Sequence, residues 1–264
     1  MNEGHKRTVG AVLLRTRGLA KSYGAVDALR GVDLDIRRGE TVALVGDNGA
    51  GKSTLVKLIS GAIQPTAGEI EFEGRQVRFG STDAARAHGI ETVYQDLGLC
   101  NNLTVSENVF LGREQTVGWG PLLFLAKREM ARRTSEALRG LTINVPPAAA
   151  SVSGLSGGQR QAVSLARTKL WKSALVMLDE PTAALGVQET ERAMEAVRRL
   201  QQDGVAILLI THQMPMALKM ADRVVVLRRG EKVGDVPTAG VTGDDLVALI
   251  TGARERRIEM AENA

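Results

Sequence analysis

Three stretches of this chain are apolar almost without interruption: Thr41-Val42-Ala43-Leu44-Val45 after its threonine, Ala174-Leu175-Val176-Met177-Leu178, and Val205-Ala206-Ile207-Leu208-Leu209-Ile210. Runs of this length with no polar alternation predict strands covered on both faces, as in a parallel sheet. Two other stretches alternate. Val32-Asp33-Leu34-Asp35-Ile36 reads as a half-exposed strand, and Glu69-Ile70-Glu71-Phe72-Glu73, turned by Gly74-Arg75 into Gln76-Val77-Arg78-Phe79, reads as a hairpin. Helical spacing appears after Lys52, with apolar residues at 55, 58 and 59, again after Gln159, at 162, 163 and 166, and over 187–200, with Ala193, Val197 and Leu200 on one face. From Asp96 to Gly154 the strand runs stop and helix-forming stretches take over. The expected architecture is an α/β core with a mainly parallel sheet, a flanking antiparallel β layer and an inserted helical subdomain at about 96–163. One domain would occupy 12–253, between a flexible N-terminus, 1–11, and a charged tail, 254–264.

The first apolar strand runs directly into Gly46-Asp47-Asn48-Gly49-Ala50-Gly51-Lys52-Ser53, with Thr54 continuing into the helix. Glycines at 46, 49 and 51 allow positive φ and let backbone N–H groups turn inward to form a nest for crowded phosphate charge. The helix that follows adds its positive end. Lys52 is placed to reach β- and γ-phosphates and the Ser53 hydroxyl to ligate Mg²⁺. Strand, glycine loop and helix occur in the order a nucleotide-binding phosphate loop requires, which makes the α/β core one of P-loop NTPase type.

The second strand ends in Asp179-Glu180 and the third in Thr211-His212. Ligands of open α/β sheets bind at the carboxyl ends of the strands, so these side chains are expected beside the phosphate loop. Asp179 is suited to hold Mg²⁺ through water, Glu180 to polarise the water that attacks the γ-phosphorus, and His212 to hydrogen-bond the γ-phosphate. A solvated Asp-Glu pair is the ordinary alternative, and His5 and His88 are read as structural or solvated.

With Leu155-Ser156-Gly157-Gly158-Gln159 added, the chain from about Leu14 to about Ala253 resembles the ATP-binding subunits of ABC transporters. The resemblance implies that Tyr23 stacks on adenine and that Gln95, in Val93-Tyr94-Gln95-Asp96, touches Mg²⁺ and the attacking water. It makes the stretch from Leu155 to Gln159 the signature that contacts the γ-phosphate held by another subunit, Glu180 the general base and His212 the switch histidine. A physical argument favours the trans role: Ser156, Gly157 and Gly158 open a second helix with an anion-seeking N-terminus, yet the chain has one phosphate loop. A head-to-tail pair of subunits, identical or not, would bury two ATP molecules between them. The alternative is a helix start that is merely capped.

The resemblance is not complete. After Glu180 the family commonly reads Pro-Thr-Ser-Ala-Leu-Asp, whereas this chain reads Pro181-Thr182-Ala183-Ala184-Leu185-Gly186, so the aspartate contact across the dimer is not carried over. The Ala-Ala-Leu-Gly ending, with Tyr94-Gln95-Asp96 and His212-Gln213-Met214-Pro215, is similar to the ATPases of monosaccharide importers. That resemblance implies transmembrane permease subunits and a periplasmic sugar-binding protein as partners, and a place on the cytoplasmic face of the membrane.

Composition narrows the alternatives. The 264 residues are 44% hydrophobic and 24% charged, enough for one sizeable core. No apolar run reaches the roughly 18–20 residues that span a bilayer, and no signal-type apolar core follows Met1-Asn2-Glu3-Gly4-His5-Lys6-Arg7. A cytoplasmic chain is therefore expected, with no additional regulatory domain after Arg229. Cys100 is the single cysteine and excludes an internal disulfide. The net charge of +4 and a pI near 9.4 raise nucleic-acid binding, but basic residues are dispersed and aromatics are only 3%, so no stacking platform is expected. The densest cluster, Lys127-Arg128 and Arg132-Arg133, reads as a solvated helix face that anionic headgroups could exploit. Residues 102–112 begin beside Gln95, with Thr104 or Ser106 as a helix cap; Val109, Phe110 and Leu111 would either line a docking groove or pack on the core. Two further readings compete: a soluble ATPase acting on ribosomes or DNA, against which no second phosphate loop is found, and a silent nucleotide-binding module, against which Glu180 and His212 are present.

Overall fold

The structure is a computed structural model that describes residues 10–94, 96–119, 122–139, 141, 146–182 and 186–253. Gln95, residues 183–185 and the segments 1–9 and 254–264 therefore lie outside the described residues. Along the chain run β1 (Val12–Tyr23), β2 (Val26–Arg37), β3 (Thr41–Val45), α1 (Lys52–Ile59), β4 (Ala67–Phe72), β5 (Arg75–Val77), α2 (Thr82–Ala87) and β6 (Ile90–Val93). Next come α3 (Val105–Phe110), β7 (Thr116–Trp119), β8 (Leu122–Leu125), α4 (Lys127–Arg139), α5 (Gly157–Leu170), β9 (Leu175–Asp179) and α6 (Val187–Gln202). The chain closes with β10 (Ala206–Ile210), α7 (Met214–Met220), β11 (Arg223–Arg228), β12 (Glu231–Pro237) and α8 (Gly243–Thr251). Two compact units result: 1–92 with 174–180 and 201–264, and 93–173 with 181–200.

In the first unit a six-stranded sheet has the order β12-β11-β3-β10-β9-β6. The three predicted buried strands are its centre: β10 pairs parallel with both β3 and β9, and β11 pairs parallel with β3 on the other side. The continuous apolar runs follow from double coverage. Val42 and Leu44 join one cluster with Leu55, Leu58 and Ile59 of α1, while Ala43 and Val45 join another with Ala217 of α7 and Leu246 of α8. An antiparallel sheet of order β2-β1-β4-β5 supplies the flanking layer. Its β2 keeps the alternation read from the sequence, with Val32, Leu34 and Ile36 buried, and Ile70 faces Val77 in the β4–β5 hairpin. The fold class is thus the α/β one the residues predict. Four strands of this unit were not read from the sequence, β1, β6, β11 and β12, although the run Val224-Val225-Val226-Leu227 in β11 carries the same signal as β3.

The second unit is mainly helical but also holds a hairpin, β7–β8, in the interval where no strand is expected. All four residues of β8, Leu122, Leu123, Phe124 and Leu125, are exposed. Helix α3 is capped by Thr104 in a reciprocal box with Glu107. Of the two roles open to its apolar residues, packing is the one observed: Val109 and Phe110 are buried, and Phe110 meets Trp171 edge-on with ring centroids 5.5 Å apart. Arg133 of the basic cluster lies over both of these rings, and Arg132 is held by Glu129 and Glu136. Cys100 is a free thiol, and among the described residues no group of His, Cys, Asp and Glu could hold a metal by itself. No helix among them is long and apolar enough to cross a membrane.

Candidate nucleotide site

The phosphate loop lies between β3 and α1 in the first unit. Gly46 has φ of 151°, Gly49 81° and Gly51 104°. Two of these glycines are also required for space: a Cβ on Gly46 would stand 2.2 Å from the Leu227 carbonyl oxygen of β11, and one on Gly51 would stand 2.7 Å from that of Ala28 in β2. The loop is therefore wedged against strands on both sides. Gly230 N–H donates to the Ala50 carbonyl and Arg30 N–H to the Gly230 carbonyl, which ties β2, the loop and the β11–β12 turn together.

Lys52, the first residue of α1, folds back so that Nζ donates to the carbonyls of Gly46 at 2.6 Å and Asp47 at 2.9 Å. Its pKa lies below the usual lysine value because burial disfavours the ammonium more than the nearby Glu180, Asp179 and Asp47 carboxylates favour it. Ser53 and Thr54 follow in the first turn of α1, whose N-cap, Gly51, supplies no side-chain cap. The loop, not a side chain, must find partners for the first N–H groups of this helix, which is the condition an incoming phosphate satisfies. A cleft of about 500 Å³ opens beside the loop, lined by Asp47, Asn48, Gly49 and Ala50 and by Arg228 and Arg229. These two arginines add positive potential that the sequence reading did not assign, because they come from a strand end more than 170 residues away.

Asp179 ends β9, and its pKa is raised first by burial and then by the Glu180 charge, with Lys52 and Lys57 opposing. Glu180 follows with φ of 50°, a left-handed conformation that costs a non-glycine residue about 1–3 kcal/mol and that packing must hold in place. Its N–H donates to the Ile210 carbonyl, which anchors it to the end of β10. The same strand end delivers His212, whose Nδ1 donates to Glu180 Oε1 at 2.8 Å. The imidazole is largely exposed at 67% and the carboxylate only 14%. Glu180 Oε2 is buried and has no hydrogen-bond partner. A carboxylate anchored at a strand end and oriented by an imidazole is equipped to accept a proton from a water positioned against it.

Tyr23 ends β1 with about half of its surface exposed, and the Lys21 ammonium lies 5.2 Å from the ring centroid. The hairpin it begins returns through Ala28 and Leu29 onto Gly51, so the tyrosine and the loop belong to one packed assembly. Gln95 lies outside the described residues. His88 is structural, with Nδ1 at 2.9 Å from the Ala84 carbonyl and its ring edge-on to Phe79.

The stretch from Leu155 to Gln159 belongs to the second unit. Ser156 is the N-cap of α5: its Oγ accepts from Gln159 N–H, and Gln159 Oε1 accepts from Ser156 N–H. Gly157 is exposed and Gly158 buried, so the helix start combines a satisfied cap with an accessible backbone.

The ABC transporter family model matches residues 29–183 of this chain. The xylose/arabinose import ATP-binding protein XylG of Sulfolobus acidocaldarius is 42% identical over 250 residues, 95% of this chain and 98% of the relative. The fructose import ATP-binding protein FrcA of Rhizobium meliloti is 43% identical over 248 residues, 92% of this chain and 95% of the relative. Among solved structures, the dimeric post-hydrolysis state of the ATP-binding cassette MJ0796 bound to ADP and Pi superposes with a TM-score of 0.73 at 27% identity, covering 87% of this chain and 100% of that one. With the phosphate loop wedged between strands, a carboxylate oriented by a histidine and most of its length aligned with such relatives, the chain belongs to the ABC transporter family as one of its ATP-binding, ATP-hydrolysing cassettes.

Proposed function

We propose that this chain hydrolyses ATP to drive a monosaccharide importer, acting in a pair of ATPase subunits, two copies of itself or one copy with a second ATPase, attached to transmembrane permease subunits on the cytoplasmic face of the membrane. A periplasmic sugar-binding protein completes the system. The observation that carries hydrolysis is the setting of Glu180, anchored by its N–H to the Ile210 carbonyl and oriented through Oε1 by His212. The two relatives above, ATP-binding proteins of xylose/arabinose and fructose import, support the substrate class.

In this reading the backbone from Gly46 to Thr54 cradles the triphosphate and Lys52 leaves the loop carbonyls for the β- and γ-phosphate oxygens. Tyr23 stacks on adenine. Glu180 takes the proton from the attacking water as the water oxygen bonds to the γ-phosphorus and the bond from that phosphorus to the β–γ bridging oxygen breaks, the electron pair leaving with ADP; His212 holds the γ-phosphate and registers its loss. Residues Leu155 to Gln159 meet the γ-phosphate bound to the other subunit. Mg²⁺ fits the donor set, since Asp179 is raised first by burial and then by the neighbouring Glu180 carboxylate, a charge that a cation would offset. Ser53, Gln95 and, through water, Asp179 would hold it, and it would offset charge on the phosphoryl oxygens. ATP supplies contacts that close the pair, and loss of phosphate releases them.

The test is reconstitution in proteoliposomes with the permease subunits that co-purify with this chain and a sugar-binding protein that docks on them. ATP hydrolysis stimulated by a loaded binding protein, with uptake of a labelled monosaccharide, is expected. Hydrolysis that no monosaccharide stimulates, or a complex that carries a different solute class, would reject the import reading.

A further inference from the structure

Two glycines of the second unit share one neighbour. A Cβ on Gly158, the second glycine of the signature, would lie 3.2 Å from Glu189 Cγ and 3.5 Å from Glu189 Cβ. One on Gly186 would lie 2.6 Å from Glu189 Oε2. The methylene stem of Glu189 therefore leans on the signature while its carboxylate folds back over Gly186, whose carbonyl accepts the Thr190 N–H at 2.9 Å at the start of α6. An acidic side chain in the first turn of α6 is favoured by the positive helix end, so the geometry is held from both sides. Any side chain at 186 would begin where the Glu189 carboxylate now stands. The acidic group at this turn, absent from residue 186, is delivered from residue 189.

We infer that Glu189 is a positioning residue: it fixes the N-terminus of the signature helix against the start of α6, and so sets how the signature meets nucleotide on the other subunit. The inference rests on the trans role given to the signature above. A side chain at 158 or at 186 would press on this one side chain, Glu189.

The experiment uses the full-length chain. ATP hydrolysis, its cooperativity in ATP and equilibrium binding of a fluorescent ATP analogue are measured for Glu189→Ala, Glu189→Gln, Gly186→Ala and, as a reference, Ser156→Arg. Removing the stem and carboxylate should lower kcat about 10-fold or more, since a small misplacement of a contacting group is enough for that. Affinity for the analogue should stay unchanged and the Hill coefficient should fall toward one. Gly186→Ala, which displaces only the flexible carboxylate, should lower kcat in the same sense with little loss of stability. Glu189→Gln keeps the stem and an acceptor oxygen and should restore turnover and cooperativity. Unaltered kcat and cooperativity in Glu189→Ala, while Ser156→Arg abolishes hydrolysis, would overturn the role of Glu189 alone. Unaltered hydrolysis in Ser156→Arg would remove the trans reading and this inference with it. Parallel losses of binding and melting temperature in Glu189→Ala and Gly186→Ala, with no rescue by glutamine, would reduce Glu189 to a helix cap.

Discussion

Glu180 and Asp179 are adjacent in sequence and differently placed in space. Glu180 is held in a left-handed conformation and oriented by His212, whereas Asp179 is disfavoured as an anion by its surroundings. If Glu180 is the base, Glu180→Gln should bind ATP normally and lower kcat by roughly 10²- to 10⁴-fold, measured by phosphate release. For Asp179 the sign follows from linkage. Its folded pKa exceeds the ordinary value of 3.8, so the folded chain holds its proton more tightly and ionisation destabilises it. This penalty is absent below 3.8 and complete above the raised folded value. Asp179→Asn should therefore raise the melting temperature of the nucleotide-free chain at neutral pH, with the advantage shrinking as pH falls through that window. Thermal melts of both chains from neutral to acid pH give the comparison, and an advantage that stays constant with pH would contradict the burial argument.

Helix starts carry much of the local organisation. Thr104, Ser156 and Thr242 each cap a helix in a reciprocal box, with Glu107, Gln159 and Asp245. At α3 the box is reinforced: the Glu107 carboxylate accepts from both the backbone N–H and the hydroxyl of Thr104, which holds its pKa below the usual glutamate range. Thr104→Ala should cost about 1 kcal/mol, read as a lower urea midpoint at unchanged slope. These caps are visible in sequence because they depend on residues three apart. The β7–β8 hairpin was not visible. Its run Leu122-Leu123-Phe124-Leu125 is too short to separate strand from helix by periodicity, and its exposure removes the burial that makes such runs informative elsewhere.

For the assembled molecule the proposal that loop and signature of different copies share each site predicts that neither completes one alone. Lys52→Ala, which removes the phosphate-reaching ammonium, and Ser156→Arg, which blocks the helix start, should each be inactive by themselves. Mixed in equal amounts, they should recover about a quarter of unaltered activity, because half of the pairs are mixed and each mixed pair keeps one intact site. Activity that fails to return although both variants fold and pair would argue that loop and signature serve the same copy's nucleotide.

The strand, glycine loop and helix around residues 41–59, the buried character of β3, β9 and β10, and the capped start of α5 were all legible in the chain, since each rests on steric or hydrogen-bonding preferences spanning a few residues. Long-range closure belonged to the fold. The parallel order of β11, β3, β10 and β9 sets the carboxyl ends of β9 and β10 side by side, and only then does His212 reach a glutamate 32 residues earlier. The wedging of Gly46 against Leu227 and the leaning of Glu189 on Gly158 are likewise contacts between distant segments. No local preference encodes them, because they exist only once packing has excluded every arrangement in which those side chains and backbones would overlap.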